Sequence, residues 1–335
     1  MAWLDAGNLD RARQDLDRAI ALDDQNELAW NNRAAVGLQA NQPEQALRDA
    51  TRALELEPRF PRALRNRGMA YVKLGRSGEA IADLSRAIKL APDDPGCLIG
   101  RGRVYYRVQN LKAALSDFTK AIELNPGNGI ALANRALVHA DMGHDKQAMA
   151  DCDAAVRWAP RLSEGYLTRA RLRQRAGDLA SAQRDLDIVV GLSPKLSLAR
   201  IWRGVLRGIR GDRDGAIADM RTTLRHDPGS IWAALWLAGL DGQTRHLAPF
   251  LYKPHEMAHL VRFYLGRCTA EQVLTAVKGK RSPTGAALGF IGLRAERRGD
   301  LEGARRAYQA CLATKTVQSA QYLWAQHRLK ALRKR

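Results

Sequence analysis

The sequence predicts an all-α protein, an α-solenoid built from tandem helix-turn-helix repeats. Proline recurs every 34 residues, at Pro58, Pro92, Pro126, Pro160, Pro194 and Pro228. An alanine lies twelve residues before each of these prolines, and an alanine or a glycine lies twenty-four residues before each. Aromatic residues make up only 6% of the chain. Because Ala, Leu and Arg favour helix and strands prefer β-branched and aromatic residues, the composition also indicates helices.

Each recurring residue has a mechanical role in a pair of packed helices. Small residues at the eighth and twentieth positions of the period allow the two helices to approach closely, and proline near the end stops the second helix. Glycine at the fifteenth position suits the turn between the helices. This glycine is present at Gly75, Gly143, Gly177 and Gly211.

The pattern resembles the tetratricopeptide repeat (TPR) family, with six complete copies over residues 27–230. The resemblance implies a right-handed superhelix in which the first helix of each repeat, helix A, lines the concave face. We interpret residues 1–26 as a truncated repeat and residues 231–284 as a divergent helical linker. Residues 285–335 are expected to form a TPR-like repeat and a basic capping helix, as solenoid ends need caps.

The C-terminal part also resembles, more loosely, bacterial TPR lipoproteins of the NlpI type. The residues that carry this resemblance are 263–266, Thr269, 272–274, 299–300 and 304–305. The resemblance implies an adaptor that brings other proteins together in the periplasm. As written, the chain has no export signal and is expected in the cytoplasm. A truncated N-terminus would make a periplasmic or membrane-anchored protein the alternative.

Two charged residues recur in every complete repeat. The seventh position is always arginine, at Arg33, Arg67, Arg101, Arg135, Arg169 and Arg203. The twenty-third position is always aspartate, at Asp49, Asp83, Asp117, Asp151, Asp185 and Asp219. Because the two series lie on neighbouring helices, we predict structural ion pairs. The alternative is an arginine stripe that binds phosphate.

The sixth position supplies the first candidate binding residues, Asn32, Asn66 and Asn134. They resemble the asparagine ladder of the O-GlcNAc transferase superhelix, which implies that they hold an extended peptide backbone. An amide offers one donor and one acceptor, as a peptide group requires. The alternative is that these amides bond local backbone or face water.

Further candidates lie at neighbouring positions of helix A, and most of them are basic. They are Arg62, Arg65, Met69, Lys73, Arg103, Tyr106, Arg107 and Arg171. Few acidic residues are expected on that surface. We therefore predict a non-enzymatic adaptor, without a cofactor, that binds a protein or an extended, acidic peptide.

Two other functions remain open. The net charge of +19 suits a partner such as nucleic acid or an anionic surface. Residues 255–259 read His-Glu-Met-Ala-His, the HExxH pattern of zinc hydrolases. Pro254 directly before it and the lack of a clear third ligand argue against zinc. The four cysteines have no paired spacing and are expected to be buried apolar residues.

Overall fold

A computed structural model describes residues 9–251, 257–316 and 319–332, and every regular element within those ranges is helical. The helices are α1 (Leu9–Leu22), α2 (Glu27–Gln39), α3 (Pro43–Leu56), α4 (Pro61–Lys73), α5 (Ser77–Leu90), α6 (Pro95–Arg107), α7 (Leu111–Leu124), α8 (Gly129–Asp141), α9 (Asp145–Trp158), α10 (Ser163–Arg175), α11 (Leu179–Leu192), α12 (Ser197–Ile209), α13 (Arg213–His226), α14 (Ile231–Asp241), α15 (Ala258–Tyr264), α16 (Ala270–Ala276), α17 (Arg281–Arg297), α18 (Leu301–Ala313) and α19 (Ala320–Leu332). A 3-10 helix spans Arg245–Phe250. The all-α prediction is confirmed.

The chain divides into two compact units, one ending at Thr168 and the other beginning at Arg169. In the first unit α2 packs on α3, α4 on α5, α6 on α7 and α8 on α9. Proline opens α3, α4 and α6. Its fixed φ suits the first helical turn, where the missing N–H has no partner to lose.

The turns inside the helix pairs use a left-handed residue, as the glycine pattern predicts. Gly75 has a φ of 77° and Gly143 a φ of 80°. Two repeats make the same turn without glycine, through Asn41 with a φ of 57° and Gln109 with a φ of 62°. The left-handed conformation is therefore a requirement of the turn, and at Gln109 the side chain makes it costly.

The small residues at the eighth and twentieth positions lie where paired helices touch. Ala46 and Ala80, at the twentieth position, are fully buried. A Cβ placed on Gly102 would lie 2.8 Å from Cε1 of Phe118. The large side chain on the second helix thus fills the space that the glycine leaves, which confirms the predicted close approach.

The second unit contains the largest apolar core among the described residues. The ring of Trp236 on α14 meets Phe290 and Trp324 edge-on, with centroids 5.1 Å and 5.3 Å away. The phenol of Tyr264 donates to the carbonyl of Phe290 at 2.9 Å. The described helices within residues 231–284 therefore contribute directly to a packed core.

The C-terminal helix α19 packs against α12 as well as against α17 and α18. A Cβ on Gly208 of α12 would lie 2.8 Å from the ring of Trp324. On its other side, Trp324 donates through Nε1 to the hydroxyl of Tyr308 at 3.2 Å. Arg328 forms an ion pair with Glu296, to which Tyr308 also donates at 2.9 Å. A buried polar network therefore anchors this helix.

Cys97, Cys152 and Cys311 are buried and Cys268 is partly buried, and none of the four forms a disulfide. The expectation that they act as apolar core residues is confirmed for the three that are buried.

Candidate functional site

A groove with a volume of about 640 Å³ lies on the helix A side of the first unit. Helix α2, the first two turns of α4 and the loop before α6 form its walls. Its lining residues are Asn31, Asn32, Ala35, Phe60, Pro61, Arg62, Arg65, Asn66, Ala91, Asp93 and Asp94. The structure thus brings together four of the predicted site residues, Asn32, Arg62, Arg65 and Asn66.

Three asparagines form a relay along one wall of this groove. Asn66 is buried, and its Nδ2 donates to Oδ1 of Asn31 at 2.9 Å and to the Asn31 carbonyl at 3.3 Å. Asn31 in turn donates through Nδ2 to Oδ1 of Asn32 at 3.5 Å. The relay leaves the Nδ2 donor of Asn32 and the Oδ1 acceptor of Asn66 as its two ends. Sequence reasoning missed Asn31, although its place beside Asn32 was a usable signal.

The charged residues of the groove are of both signs. Arg65 forms an ion pair with Asp94, with Nη1 2.9 Å from Oδ2. Asp94 also accepts from the backbone N–H of Gly96 at 2.8 Å, as the N-cap of α6. The expectation of few acidic residues on this surface is wrong here, because the loop before α6 brings Asp93 and Asp94 into the lining. Arg62 is exposed and has no ion pair among the described residues.

Several other predicted site residues bond to a neighbouring repeat. Lys73 donates to Oδ1 of Asn41 at 2.9 Å, and Arg107 donates to the carbonyl of Val72 at 2.7 Å. The hydroxyl of Tyr106 hydrogen-bonds to Asp141. These side chains join successive repeats within the first unit.

The remaining predicted residues differ in their surroundings. The amide of Asn134 donates to the carbonyl of Ile130 one turn earlier, at 2.8 Å, which is the local bonding foreseen as the alternative. Met69 is partly buried, with its sulfur 3.5 Å from where a Cβ of Gly100 would lie, and Arg103 is exposed on α6. Arg171 lies in the second unit and lines a separate pocket.

The six arginines at position seven and the six aspartates at position twenty-three form the six predicted ion pairs. In each, Nε lies 2.7 to 3.1 Å from Oδ2 and Nη2 lies 2.5 to 2.9 Å from Oδ1. This two-point geometry is the strong form of an arginine–carboxylate contact. The hydrogen bond to Asp117 raises the pKa of Arg101 above its usual value. Because the guanidinium groups already hold carboxylates, the structural interpretation is favoured over a phosphate-binding stripe.

Four of these arginines make a third contact that the sequence analysis missed. The Nη1 of Arg33 donates to Asp17 at 2.8 Å, and that of Arg101 donates to Ser85 at 2.9 Å. The acceptor lies sixteen residues before the arginine, on the second helix of the preceding repeat, just as the aspartate lies sixteen residues after it. Arg135 and Arg203 repeat the contact with Thr119 and Asp187. One side chain therefore connects three helices.

The HExxH segment is only partly described. His255 and Glu256 lie outside the described residues, whereas His259 is the second residue of the seven-residue helix α15. Among the described residues, no group of three or more His, Cys, Asp or Glu side chains is placed to hold a metal ion. In the same residues, the helices are too short or too polar to cross a bilayer.

The fold and the groove define a helical-repeat protein that offers a surface for other proteins. Two models of the tetratricopeptide repeat family match the sequence, one over residues 32–96 and the other over residues 95–128. Over residues 32–128 the chain therefore contains tetratricopeptide repeats. Proteins of this family serve in general as scaffolds for protein–protein interaction. No curated protein sequence matches the chain significantly.

Solved structures of other proteins share this fold. A tetratricopeptide repeat protein from Parabacteroides merdae is 22% identical, with a TM-score of 0.55 over 70% of this chain and 93% of that one. A chain of the crystal structure of the APC/C hetero-tetramer Cut9–Hcn1 gives a TM-score of 0.63 at 14% identity, over 69% of this chain and 46% of that one. The present chain thus spans about half of that protein. The structure of an IFIT1 monomeric mutant with Gppp-AAAA gives a TM-score of 0.60 at 13% identity. The match covers 91% of this chain and 67% of that one. At such identities the likeness is one of fold.

Proposed function

We propose that the protein is a non-enzymatic adaptor that binds an extended peptide in the groove of the first unit. The observation that carries the proposal is the asparagine relay, which ends in a donor on Asn32 and an acceptor on Asn66. An extended backbone presents both carbonyl acceptors and N–H donors along one side, so it offers a partner of the right kind to each end of the relay. Since internal bonds hold Asn66 in place, the relay is rigid before binding, which limits the entropy lost on association.

The charges of the groove suit a peptide with an acidic residue at one place. Arg62 is exposed and lines the groove, whereas Arg65 is already paired with Asp94. A carboxylate beside Arg62 gains a charge-assisted contact. Asp93, on the loop side, disfavours a second carboxylate close to it. The acidic preference is therefore local to Arg62.

The proposal is tested by selecting a peptide that binds the protein from a library of extended peptides. Calorimetry then measures the affinity of that peptide for the protein and for matched variants of the protein. Asn32→Ala should weaken binding about tenfold, in line with the loss of one hydrogen bond from a partly buried amide. Asn134→Ala, at the same position of another repeat but bonded locally, should leave affinity unchanged. Arg62→Ser should weaken peptides with an acidic residue, whereas Arg59→Ser, three residues earlier in the loop, should not.

Equal binding by Asn32→Ala and Asn134→Ala would refute the relay as the peptide contact. Selection of peptides without any acidic preference, together with full binding by Arg62→Ser, would refute the charge preference and leave the backbone contact standing. Circular dichroism of each variant confirms that the helices are intact.

Nucleic-acid binding is the second candidate function, favoured by the net charge of +19. The IFIT1 structure described above contains Gppp-AAAA, which shows what that protein binds. Binding driven by phosphate contacts falls steeply with salt. Single-stranded RNA that bound at 50 mM salt and competed with the selected peptide would support this function. RNA that failed to bind at low salt would exclude it.

A further inference from the structure

Two histidine side chains meet at the turn between α8 and α9 in the first unit. His139 lies in the last turn of α8, and His144 is the N-cap residue of α9. Their Nδ1 atoms are 3.4 Å apart, and the ring centroids are 5.6 Å apart with the ring planes tilted by 48°. His139 is partly buried and His144 is exposed. A small ion can therefore reach the pair from solvent.

The backbone of the turn holds the two histidines together. The N–H of His144 donates to the carbonyl of His139 at 2.8 Å, and Gly143 beside it has a φ of 80°. The same backbone bond joins the eleventh and sixteenth positions of the second repeat, from Arg76 to Tyr71 at 2.9 Å. Because the turn fixes both backbones, little further ordering is needed for both rings to contact one ligand.

Side chains at these two positions also meet in other repeats, with different chemistry. The guanidinium of Arg76 lies over the ring of Tyr71, 4.6 Å from its centroid. Arg207 and Asp212 form an ion pair at 3.7 Å. Of the six complete repeats, only the fourth has histidine at both positions. The contact is thus a property of the turn, and in the fourth repeat it places two metal-ligating side chains together.

The short distance between the rings suits either a hydrogen bond or a shared cation. In a hydrogen bond, one ring donates from Nδ1 and the other accepts. When both rings carry their hydrogen on Nε2, both Nδ1 atoms present lone pairs that a cation can accept. Burial lowers the pKa of His139 below its usual value, so this ring is neutral at pH 7.5 and keeps a lone pair.

The separation of the two nitrogens favours a tetrahedral ion. Imidazole is a suitable ligand for Zn²⁺, Cu²⁺ and Ni²⁺. Two nitrogens at a Zn–N distance of about 2.0–2.1 Å and the tetrahedral angle are about 3.3–3.4 Å apart. At the right angle of a square-planar or octahedral ion they would be about 2.8–3.0 Å apart. The observed 3.4 Å matches the tetrahedral value, which is the geometry that Zn²⁺ adopts in proteins.

We propose that His139 and His144 bind one Zn²⁺ ion through their Nδ1 atoms, with water in the two remaining positions. Zinc bound there joins the end of α8 to the start of α9. A structural zinc site has four protein ligands, so a site with two binds zinc reversibly, with a dissociation constant of about 1–200 µM. The site lies outside the groove and does not depend on the proposed peptide binding.

The test measures Zn²⁺ binding to the full chain by calorimetry at pH 7.5, in a buffer that does not coordinate metal ions. His139→Tyr and His144→Asn should each weaken zinc binding at least tenfold. Both replacements occur at these positions in the preceding repeat, as Tyr105 and Asn110, so the turn can form with them. Zinc at 1 mM should raise the melting temperature of the unchanged protein more than that of either variant, because binding to the folded state adds stability.

Two other histidines supply the controls. His226→Asn removes an exposed histidine at the end of α13, and His259→Asn removes one from the HExxH segment. Both variants should bind zinc as the unchanged protein does. No zinc binding at 1 mM, or undiminished binding by His144→Asn, would overturn the proposal. Loss of binding in His259→Asn instead would place the metal at the HExxH segment and would also overturn it.

Cobalt(II) tests the geometry, because a tetrahedral Co²⁺ complex absorbs visible light far more intensely than an octahedral one. Intense absorption by the Co²⁺-loaded protein that is lost in His144→Asn would support the tetrahedral site. Weak absorption from Co²⁺ that is bound at the two histidines would contradict the tetrahedral geometry and with it the assignment to zinc.

Discussion

The guanidinium of Arg101 holds the carboxylate of Asp117 through two hydrogen bonds, of 2.9 Å from Nε to Oδ2 and 2.7 Å from Nη2 to Oδ1. The side chain of Asp117 is 7% exposed and that of Arg101 is 22% exposed. The pair joins α6 to α7, and Ser85 on α5 takes the remaining nitrogen of the guanidinium.

Asp117→Ala should lower the free energy of unfolding by about 3 kcal/mol, because it leaves a largely buried guanidinium without its charge partner. Glu55→Ala, which breaks the exposed pair with Arg52, should cost under about 1 kcal/mol. Urea denaturation followed by circular dichroism measures both. The double variant Arg101→Met with Asp117→Leu should recover much of the lost stability. If it were as unstable as Asp117→Ala, the two residues would not be energetically coupled.

Gly102→Ala should destabilise the first unit by about 1–2 kcal/mol, although alanine is the better helix former. The added Cβ would meet the ring of Phe118 at 2.8 Å. Gly78→Ala is the matched control, since a Cβ there has no neighbour within 4 Å, and it should stabilise slightly. Thermal unfolding of the two variants gives the comparison. If both changes stabilised the protein, the helices would not be in the close contact described.

Gln109→Gly should stabilise the protein by about 0.5–1 kcal/mol. Gln109 adopts a φ of 62°, which costs energy for a residue with a Cβ, and glycine removes that cost. Val108→Gly, at a φ of −86°, removes a side chain from the neighbouring position and should destabilise. The melting temperatures of both variants are compared with that of the unchanged protein. A lower melting temperature for Gln109→Gly would mean that the contacts of the Gln109 side chain outweigh the backbone effect.

Cys268 should be the first thiol to react with a disulfide reagent at pH 8. Burial raises the pKa of Cys97 and of Cys311 to about 12, so almost no thiolate forms at either residue and neither is reachable. Cys268 is partly buried, with a pKa that burial also raises, and should react slowly. The remaining thiols should react only in urea. Unchanged early labelling of Cys268→Ser would contradict this order.

The periodic features were predictable because each of them recurs once per repeat. The ion pairs, the close helix contacts and the left-handed turns all depend on residues at fixed positions of one repeat. The aspartate at the position of Asp117 pairs with the arginine at position seven in every repeat. The repeat period alone is therefore enough to identify the partner.

Features that lie between repeats or outside the period were harder to predict. The bond from Asn66 to Asn31 joins two different positions of successive repeats, so a single column of asparagines does not show it. Asp94 enters the groove through a loop whose path the sequence does not determine. The packing of Trp324 against Gly208 connects residues more than a hundred positions apart. No periodic signal links them.

The third contact of the arginines bears on how such a chain can change its length during evolution. Arg33 and Arg101 each bond sixteen residues backward and sixteen residues forward. Duplication or deletion of one whole 34-residue segment therefore preserves both sixteen-residue spacings at the new junction, wherever the segment is cut. An insertion of any other length inside a helix pair separates a guanidinium from its carboxylate. Recombination is thereby restricted to multiples of the period.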